Sequence, residues 1–403
     1  MVRALSSEQT EATPGRLTAV DDEVLTNTLS PDAVVHVNPA IRLIPPSSLT
    51  DDQWFVESYV ACRRWRVSLP GIMLLAVCAG ETELAEAVEI MSVKSGLLAS
   101  RITDLLLQLW RAGLLIIRER DVQDDATVSV RDTLLTWAQV GWSEAAEYHL
   151  STFDYPFVDY AHGGRQVDTE RMREYVADEP DESRYKRYND ATSRIRLPAT
   201  DTALLPESVG DGLKTPCGLR LDRDRLMRIL SATCGETATV TSGRWPRAPM
   251  VRRTSPSGGA RHPTETYILV LDVASLPAAW YHVTVNPPEL ELMREVRMSE
   301  EELRRIFPLG FARVPIEPKA IAVMTSVFSR NMFRYREPRT FRTVHMDAGH
   351  LASTMAIAAS AVGVRAHVAY GDHERLIEDA LGISCLNEGY LLSVSLGTPK
   401  ARR

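Results

Sequence analysis

The sequence predicts an α+β protein: a winged-helix-like, helical N-terminal domain, and a C-terminal half in which a mixed sheet is flanked by helices. Three observations predict it. Residues 267–271 and 280–285 have strand character and follow a loop of small residues at 254–260. Residues 349–361 are helical in pattern but built largely from alanine, serine and other small side chains. Residues 70–117 run helix, turn, helix, glycine, strand.

In order along the chain, residues 1–30 lack helical or strand periodicity and read as a disordered arm. Residues 34–37 and 41–44 are β-like and end at Pro45-Pro46. Residues 70–78 are apolar, 81–90 amphipathic, and 97–110 carry Leu98, Ile102, Leu105, Leu106 and Leu109 at helical spacing. Gly113 closes that helix before a short strand at 114–117. This places the N-terminal domain at 31–135. Residues 136–198 are aromatic and charged, with a Pro/Asp/Glu cluster at 178–182, and read as an exposed connector. Its His149 lies among aromatic residues and reads as a hydrogen-bonded structural group, a catalytic role being the alternative.

The second domain spans 199–403. Residues 221–230 form an amphipathic helix opening at Asp222. Strands at 267–271 and 280–285, a helix at 300–306 and an extended segment at 321–324 follow. The small side chains of 349–361 allow close helix approach, as at a domain centre or a dimer interface. His350 is read as capping or packing at the start of this helix.

Composition narrows the function. Of 403 residues, 44% are hydrophobic and 25% charged, enough apolar material for sizeable cores. A net charge of −7 gives no pull toward nucleic acid or anionic membrane. The helix over 97–110 shows Arg101 and Asp104 among leucines, too sparse a basic face for a DNA reader. No apolar run approaches the ~20 residues of a membrane helix, and the N-terminus lacks a signal-peptide core. Five scattered cysteines without a CxxC pair read as reduced thiols in the cytoplasm. His345 and His350 are five apart rather than four, so no metal site is expected.

The loop Arg252-Arg253-Thr254-Ser255-Pro256-Ser257-Gly258-Gly259-Ala260-Arg261-His262 is the candidate cofactor cradle. Glycines let backbone approach a flat group, free N–H groups offer contacts, and the arginines suit phosphate or carboxylate. The run from Pro256 to Glu265 resembles the flavin-contacting loop of SagB-type azoline dehydrogenases, a branch of the FMN-dependent nitroreductase superfamily. Arg334-Tyr335-Arg336, with Arg339 and Arg342, then Asp347-Ala348-Gly349-His350, is similar to that family's Lys-Tyr…Arg…Asp-Ala-Gly-His block. Residues 358–372 and 391–398 fall where the family has its last helix and strands, and 146–152 resembles the segment before its flavin domain.

The resemblance implies FMN held between the two subunits of an intertwined homodimer. Pro256, Ser257, Gly258 and Gly259 would form the floor of the ring slot. Arg252 or Arg253 would face the phosphate or the ring edge. Where many relatives carry an Arg-x-Ser-x-Arg phosphate motif, this chain has Lys214 to Arg220, so Lys214 and Arg220 are the next cations considered. His262 is a candidate cofactor or substrate contact. The family's catalytic Lys-Tyr pair corresponds to Arg334 and Tyr335. Arginine stays protonated in essentially every protein site and is no base. Arg334 is therefore read as orienting or charge-stabilising, and Tyr335 as the proton acceptor, whose pKa must come toward the working pH. The neighbouring arginines could supply that field, or could form an ion-pair network with Glu337 and Asp347.

The activity implied is FMN-dependent oxidation of thiazoline or oxazoline rings in a ribosomally made precursor peptide, with a cyclodehydratase partner. Winged-helix-like folds in peptide-modifying enzymes can accept a leader segment by strand addition. Two other readings stay open: a nitroreductase-like flavin oxidoreductase acting on a small or carrier-bound substrate, and a non-catalytic scaffold subunit.

Overall fold

The structure is a computed structural model, and it describes residues 3–4, 30–47, 53–58, 63–118, 125–153, 159, 161–178, 185–200, 202–205, 218–240, 250–312 and 316–400. Most of the expected N-terminal arm lies outside these residues. The chain divides into two compact units, Met1–Pro156 and Phe157–Arg403.

The first unit holds two small sheets. Strands β1 (Arg3–Ala4), β2 (Val34–Val37), β3 (Ile41–Ile44), β4 (Trp54–Ser58) and β5 (Arg63–Val67) precede helix α1 (Leu69–Val77). Then come β6 (Thr82–Glu83), α2 (Leu84–Ser95), α3 (Ala99–Arg111) and β7 (Leu115–Ile117). One sheet has the order β1-β5-β4-β3 and the other β6-β2-β7. The α3 stripe anticipated from spacing is buried: Ile102, Leu105, Leu106 and Leu109 join Val35, Leu74, Leu75 and Met91 in one core. Gly113 closes the helix in a left-handed conformation, φ +71°. The β4–β5 hairpin carries Arg63, Arg64 and Arg66 on its exposed positions and is not among the sequence-derived strands. Helices α4 (Asp125–Gln139) and α5 (Ser143–Ser151) complete the unit. His149 stacks on Trp137 with ring centroids 6.0 Å apart.

The second unit begins within the segment read as connector. That segment contributes regular structure here: α6 (Gly164–Asp178) and β8 (Ser193–Arg196), an edge strand of the main sheet. The unit continues with α7 (Arg223–Cys234), β9 (Glu236–Val240), β10 (Met250–Arg253), β11 (Thr264–Val270), β12 (Ala279–Val285) and β13 (Pro288–Glu295). It ends with α8 (Glu300–Ile306), α9 (Pro308–Ala312), β14 (Ile316–Val327), α10 (Phe328–Met332), α11 (Thr340–Ala361), β15 (Arg365–Ala369), α12 (Glu374–Leu381) and β16 (Glu388–Pro399).

The seven-stranded sheet runs β15-β16-β14-β11-β12-β13-β8. Its pairings are antiparallel throughout, where a mixed sheet was expected. The reason is connectivity: β11, β12 and β13 follow one another through short turns, which only antiparallel neighbours permit. Alternation on the strands sorts side chains to two faces. Ile268, Val270, Tyr281 and Val283 pack with α7 and α11 residues such as Leu230, Leu351 and Met355. Tyr267, Leu269 and Trp280 pack with Leu303, Phe307, Ile377 and Leu381 on the other face. The unit is therefore an α+β sandwich with helices on both sides of the sheet.

Helix starts follow local chemistry. Asp222 caps α7 by accepting the Arg225 N–H at 2.9 Å. Ser299 and Glu302 form a reciprocal capping box on α8. Helix α11 starts nine residues earlier than its small-residue pattern implied, so His350 is an exposed mid-helix residue rather than an opening one.

Candidate functional site

Antiparallel pairing brings the site together. Thr264 at the start of β11 faces Ser326 near the end of β14. The loop entering β11 and the segment leaving β14 therefore emerge at the same end of the sheet. The first carries Pro256–His262, the second Arg334 and Tyr335.

The loop is held in one shape. Ser257 Oγ donates to Asp347 Oδ2 at 2.6 Å, and the Gly258 N–H donates to the same carboxylate at 3.1 Å. Ser257 Oγ in turn accepts the His262 N–H at 2.9 Å. A 3-10 turn over Gly258–Ala260 follows, and Gly259, Ala260 and His262 all have positive φ. The loop N–H groups were expected to be available to a ligand. Those of 258, 260, 261 and 262 are instead used within the protein. Burial holds the Asp347 carboxyl above its ordinary pKa, against the Ser257 and Gly258 donors. Asp347, for which the sequence left open a place in an ion-pair network with the arginines, pins the loop.

The glycines also have a use beyond the one expected. A Cβ on Gly259 would stand 2.2 Å from Tyr335 Oη, and a Cβ on Gly258 would stand 2.5 Å from Thr343 Cγ2. The small loop therefore admits the phenol of Tyr335 directly. Arg334 adds its guanidinium carbon 5.2 Å from the Tyr335 ring centroid. Its Nη2 donates to Asp168 Oδ2 at 2.9 Å, with both side chains largely shielded.

Beneath the loop lies a buried charged chain absent from the sequence reading. Arg261, 2% exposed, donates from Nε to the Arg330 carbonyl at 2.6 Å. Arg330 donates to the His262 carbonyl at 3.0 Å and pairs with Glu265 at 2.6 Å. Glu265 accepts from His282 Nε2 at 2.9 Å, while His282 Nδ1 meets Glu291 Oε2 at 3.2 Å. An imidazole with a carboxylate on each nitrogen is a donor twice over, hence an imidazolium. Burial alone would raise the Glu265 pKa, but Arg330 and His282 outweigh it and bring it down to about 2. Burial opposes charging of His282, yet its two glutamates hold its pKa above the ordinary value. These residues lie on β11, β12, β13 and α10 and on the loop before β11, and a lone buried Glu or His in a strand gives no local signal of its partner.

The remaining candidates separate. His262 is 6% exposed, and its Nε2 lies 2.8 Å from the Val251 carbonyl, so that nitrogen is committed to the backbone. Arg252 is exposed on β10, and Arg253 lines the cavity under the loop. Burial pushes the Arg253 pKa down, with Glu265 opposing. Arg220 pairs at 3.8 Å with Asp272, just past the far end of β11. Seven residues of strand at about 3.3 Å each separate that end from the loop, so Arg220 does not reach the loop of its own chain. Lys214 lies outside the described residues.

A cavity of ≈ 20 Å³ lies under the loop, lined by Arg253, Ser257, His262 and Asp347 among others. That is room for a water rather than a flavin ring. A ring would have to lie over the loop, where Pro256 and Gly259 are exposed beside Tyr335. At the same end of the sheet, buried Thr264 Oγ1, Ser326 Oγ and both amide atoms of Asn331 have no hydrogen-bond partner. Unmet polar groups beside an exposed glycine wall fit a site completed by a further group. Among the described residues, no group of three or more His, Cys, Asp or Glu is placed to hold a metal ion, and no helix is long and apolar enough to cross a membrane.

A family model described as the nitroreductase family matches residues 220–398. The trifolitoxin-processing protein of Rhizobium leguminosarum bv. trifolii is 28% identical over 256 residues, covering 59% of this chain and 66% of that protein. A nitroreductase-like protein of Methanocaldococcus jannaschii is 30% identical over 182 residues, covering 43% of this chain and 81% of that protein. Among solved structures, a nitroreductase-like protein from Anabaena variabilis is similar at TM-score 0.43 and 23% identity, over 57% of this chain and 45% of that one. A chain of the E. coli microcin synthetase McbBCD complex with truncated pro-MccB17 bound is similar at TM-score 0.38 and 18% identity, over 70% and 100% respectively. The chain thus spans just under two thirds of the trifolitoxin-processing relative and under half of the Anabaena chain.

Proposed function

Because the chain belongs to the nitroreductase family, we propose that it is an FMN-dependent oxidoreductase that converts thiazoline or oxazoline rings of a ribosomally made peptide to thiazole or oxazole. The observation that carries the reading is the Tyr335 phenol laid on Gly259, beside the Arg334 guanidinium. The likeness to a trifolitoxin-processing protein supports a peptide substrate. A cyclodehydratase partner, a homodimer and a cytoplasmic setting belong to the same proposal. The small cavity within one chain is in keeping with a ring held between two copies.

Of the two arginines considered, Arg252, exposed on β10, would hold the phosphate, with Pro256 and Gly259 as one wall of the ring slot. Ring oxidation removes a proton and a hydride from adjoining carbons, and a bound FMN supplies the hydride acceptor. The protein's own groups handle the proton. Tyr335 takes it at Oη as the phenolate, and the Arg334 guanidinium, permanently charged, favours that phenolate and orients the ring. Asp347, Arg261 and Arg330 keep the loop rigid, so little reorganisation is needed at the moment of reaction.

The test is the visible spectrum of the purified full chain with FMN, followed by anaerobic addition of an azoline-containing peptide. The flavin absorbance should bleach in the wild type. Tyr335→Phe should retain FMN while the bleaching rate drops on the order of a hundredfold, in the usual range for loss of a general base. A protein that takes up no FMN sinks the proposal.

A further inference from the structure

Helix α6 lies outside the stretch matched by the family model, yet it touches the Arg334–Arg336 segment at two points. Asp168 accepts from Arg334 at 2.9 Å, and the Arg336 guanidinium carbon lies 3.8 Å from the Tyr175 ring centroid. Gly164, Asp168, Met172 and Tyr175 recur at i, i+4, i+8 and i+11, which is one stripe of a helix. Gly164 and Met172 are buried and Asp168 and Tyr175 half-buried, whereas Arg165, Gln166, Val167, Glu170, Arg173 and Glu174 are exposed. The shielded stripe of α6 therefore carries both contacts to the segment that bears the candidate catalytic pair.

This geometry meets a need that the arginine creates. A lysine ammonium acts as a point charge and works from many rotamers. A guanidinium is a planar fork whose usefulness depends on the orientation of its plane. Arg334 reaches its place through a long flexible stem, and one carboxylate on Nη2 fixes that plane. The pair is 16% and 27% exposed, so it is shielded far more than an ordinary surface ion pair.

We propose that α6 is a strap added to the family domain and that Asp168 is a positioning residue, setting the Arg334 guanidinium for the reaction assigned above. The proposal rests on that reading for its catalytic consequence, but not for the coupling itself.

Two measurements on the full chain test it. The first needs no flavin: melting temperatures of Asp168→Ala, Arg334→Ala and the double variant. The double should lose less than the sum of the singles; strict additivity overturns the strap. The second uses FMN-loaded protein and an azoline peptide. Asp168→Asn should keep its FMN and lose about tenfold in kcat, less than the roughly hundredfold that a 1 Å misplacement can cost because the amide oxygen can still accept from Arg334, with KM changing much less. Asp168→Glu should recover most of that loss. An unchanged kcat in Asp168→Asn, or no recovery in Asp168→Glu, overturns the positioning role. A wild type that binds no FMN removes the enzyme reading, while the melting cycle still decides whether α6 straps Arg334.

Discussion

Replacing Gly259 by alanine probes the contact on which the site depends. Gly259 has φ +59°, a left-handed conformation costing a residue with a Cβ about 1–2 kcal/mol. The new methyl would also stand 2.2 Å from Tyr335 Oη and 3.1 Å from its Cζ. Heavy atoms do not approach so closely, so the phenol must swing away or the loop must shift. Overpacking of this kind costs about 1–3 kcal/mol more. The sum is roughly 2–5 kcal/mol, and in a unit of this size that lowers the melting temperature on the order of 10 °C. Scanning calorimetry of Gly259→Ala, Tyr335→Phe and the double variant separates the two parts. Removing Oη relieves the nearest contact but leaves the backbone strain, so the double variant should recover about 1 kcal/mol relative to additivity. Gly258→Ala serves as comparison. Its φ is not left-handed and its Cβ would meet the end of the Thr343 side chain, so its cost should be smaller and indifferent to Tyr335. Equal costs of Gly259→Ala in the Tyr and Phe backgrounds would refute the reasoning.

Two further outcomes follow from the groups around the loop. Asp347→Asn places an amide donor where the Ser257 hydroxyl and Gly258 N–H both need an acceptor. It should cost about 1–3 kcal/mol, and hydrogen exchange at Gly258 should quicken; unchanged protection there would contradict the pinning role. The buried charged chain sets a pH dependence. Glu265 and Glu291 each fall from 4.5 to about 2, burial being outweighed by Arg330 and His282 for the first and chiefly by His282 for the second. They contribute stability above pH 4.5, of order 3 kcal/mol each, and lose it as pH falls toward 2. His282, raised from 6.5, contributes below pH 6.5 and loses that contribution as pH rises through its folded value. Melting temperature should therefore peak between about pH 4.5 and 6.5, and a flat profile from pH 2 to 5 would contradict the network.

Much of the architecture was legible in the chain because it depends on neighbours in sequence. The apolar spacing of Ile102, Leu105 and Leu109 places α3, Asp222 starts α7, and Gly113 ends a helix. The loop at Pro256–His262 was marked by its residue types and the Arg334-Tyr335 pair by a family resemblance, and the two do converge at one end of the sheet. Features with weak local signals were passed over. The β4–β5 hairpin alternates arginine with apolar residues, and β8 is a short exposed edge strand.

The sequence by itself determined where helices and strands form, which faces they bury, and that a glycine-lined loop and a tyrosine–arginine pair exist. Only the tertiary structure decided what those groups meet. Ser257 finds Asp347 ninety positions away, and Arg334 finds Asp168 across 166. Arg220, close to the first helix of the domain, goes instead to Asp272. Periodicity and capping are properties of a few adjacent residues, whereas these pairings follow from the order of strands in the sheet. That order puts the start of β11 beside the end of β14, and no window of sequence contains it.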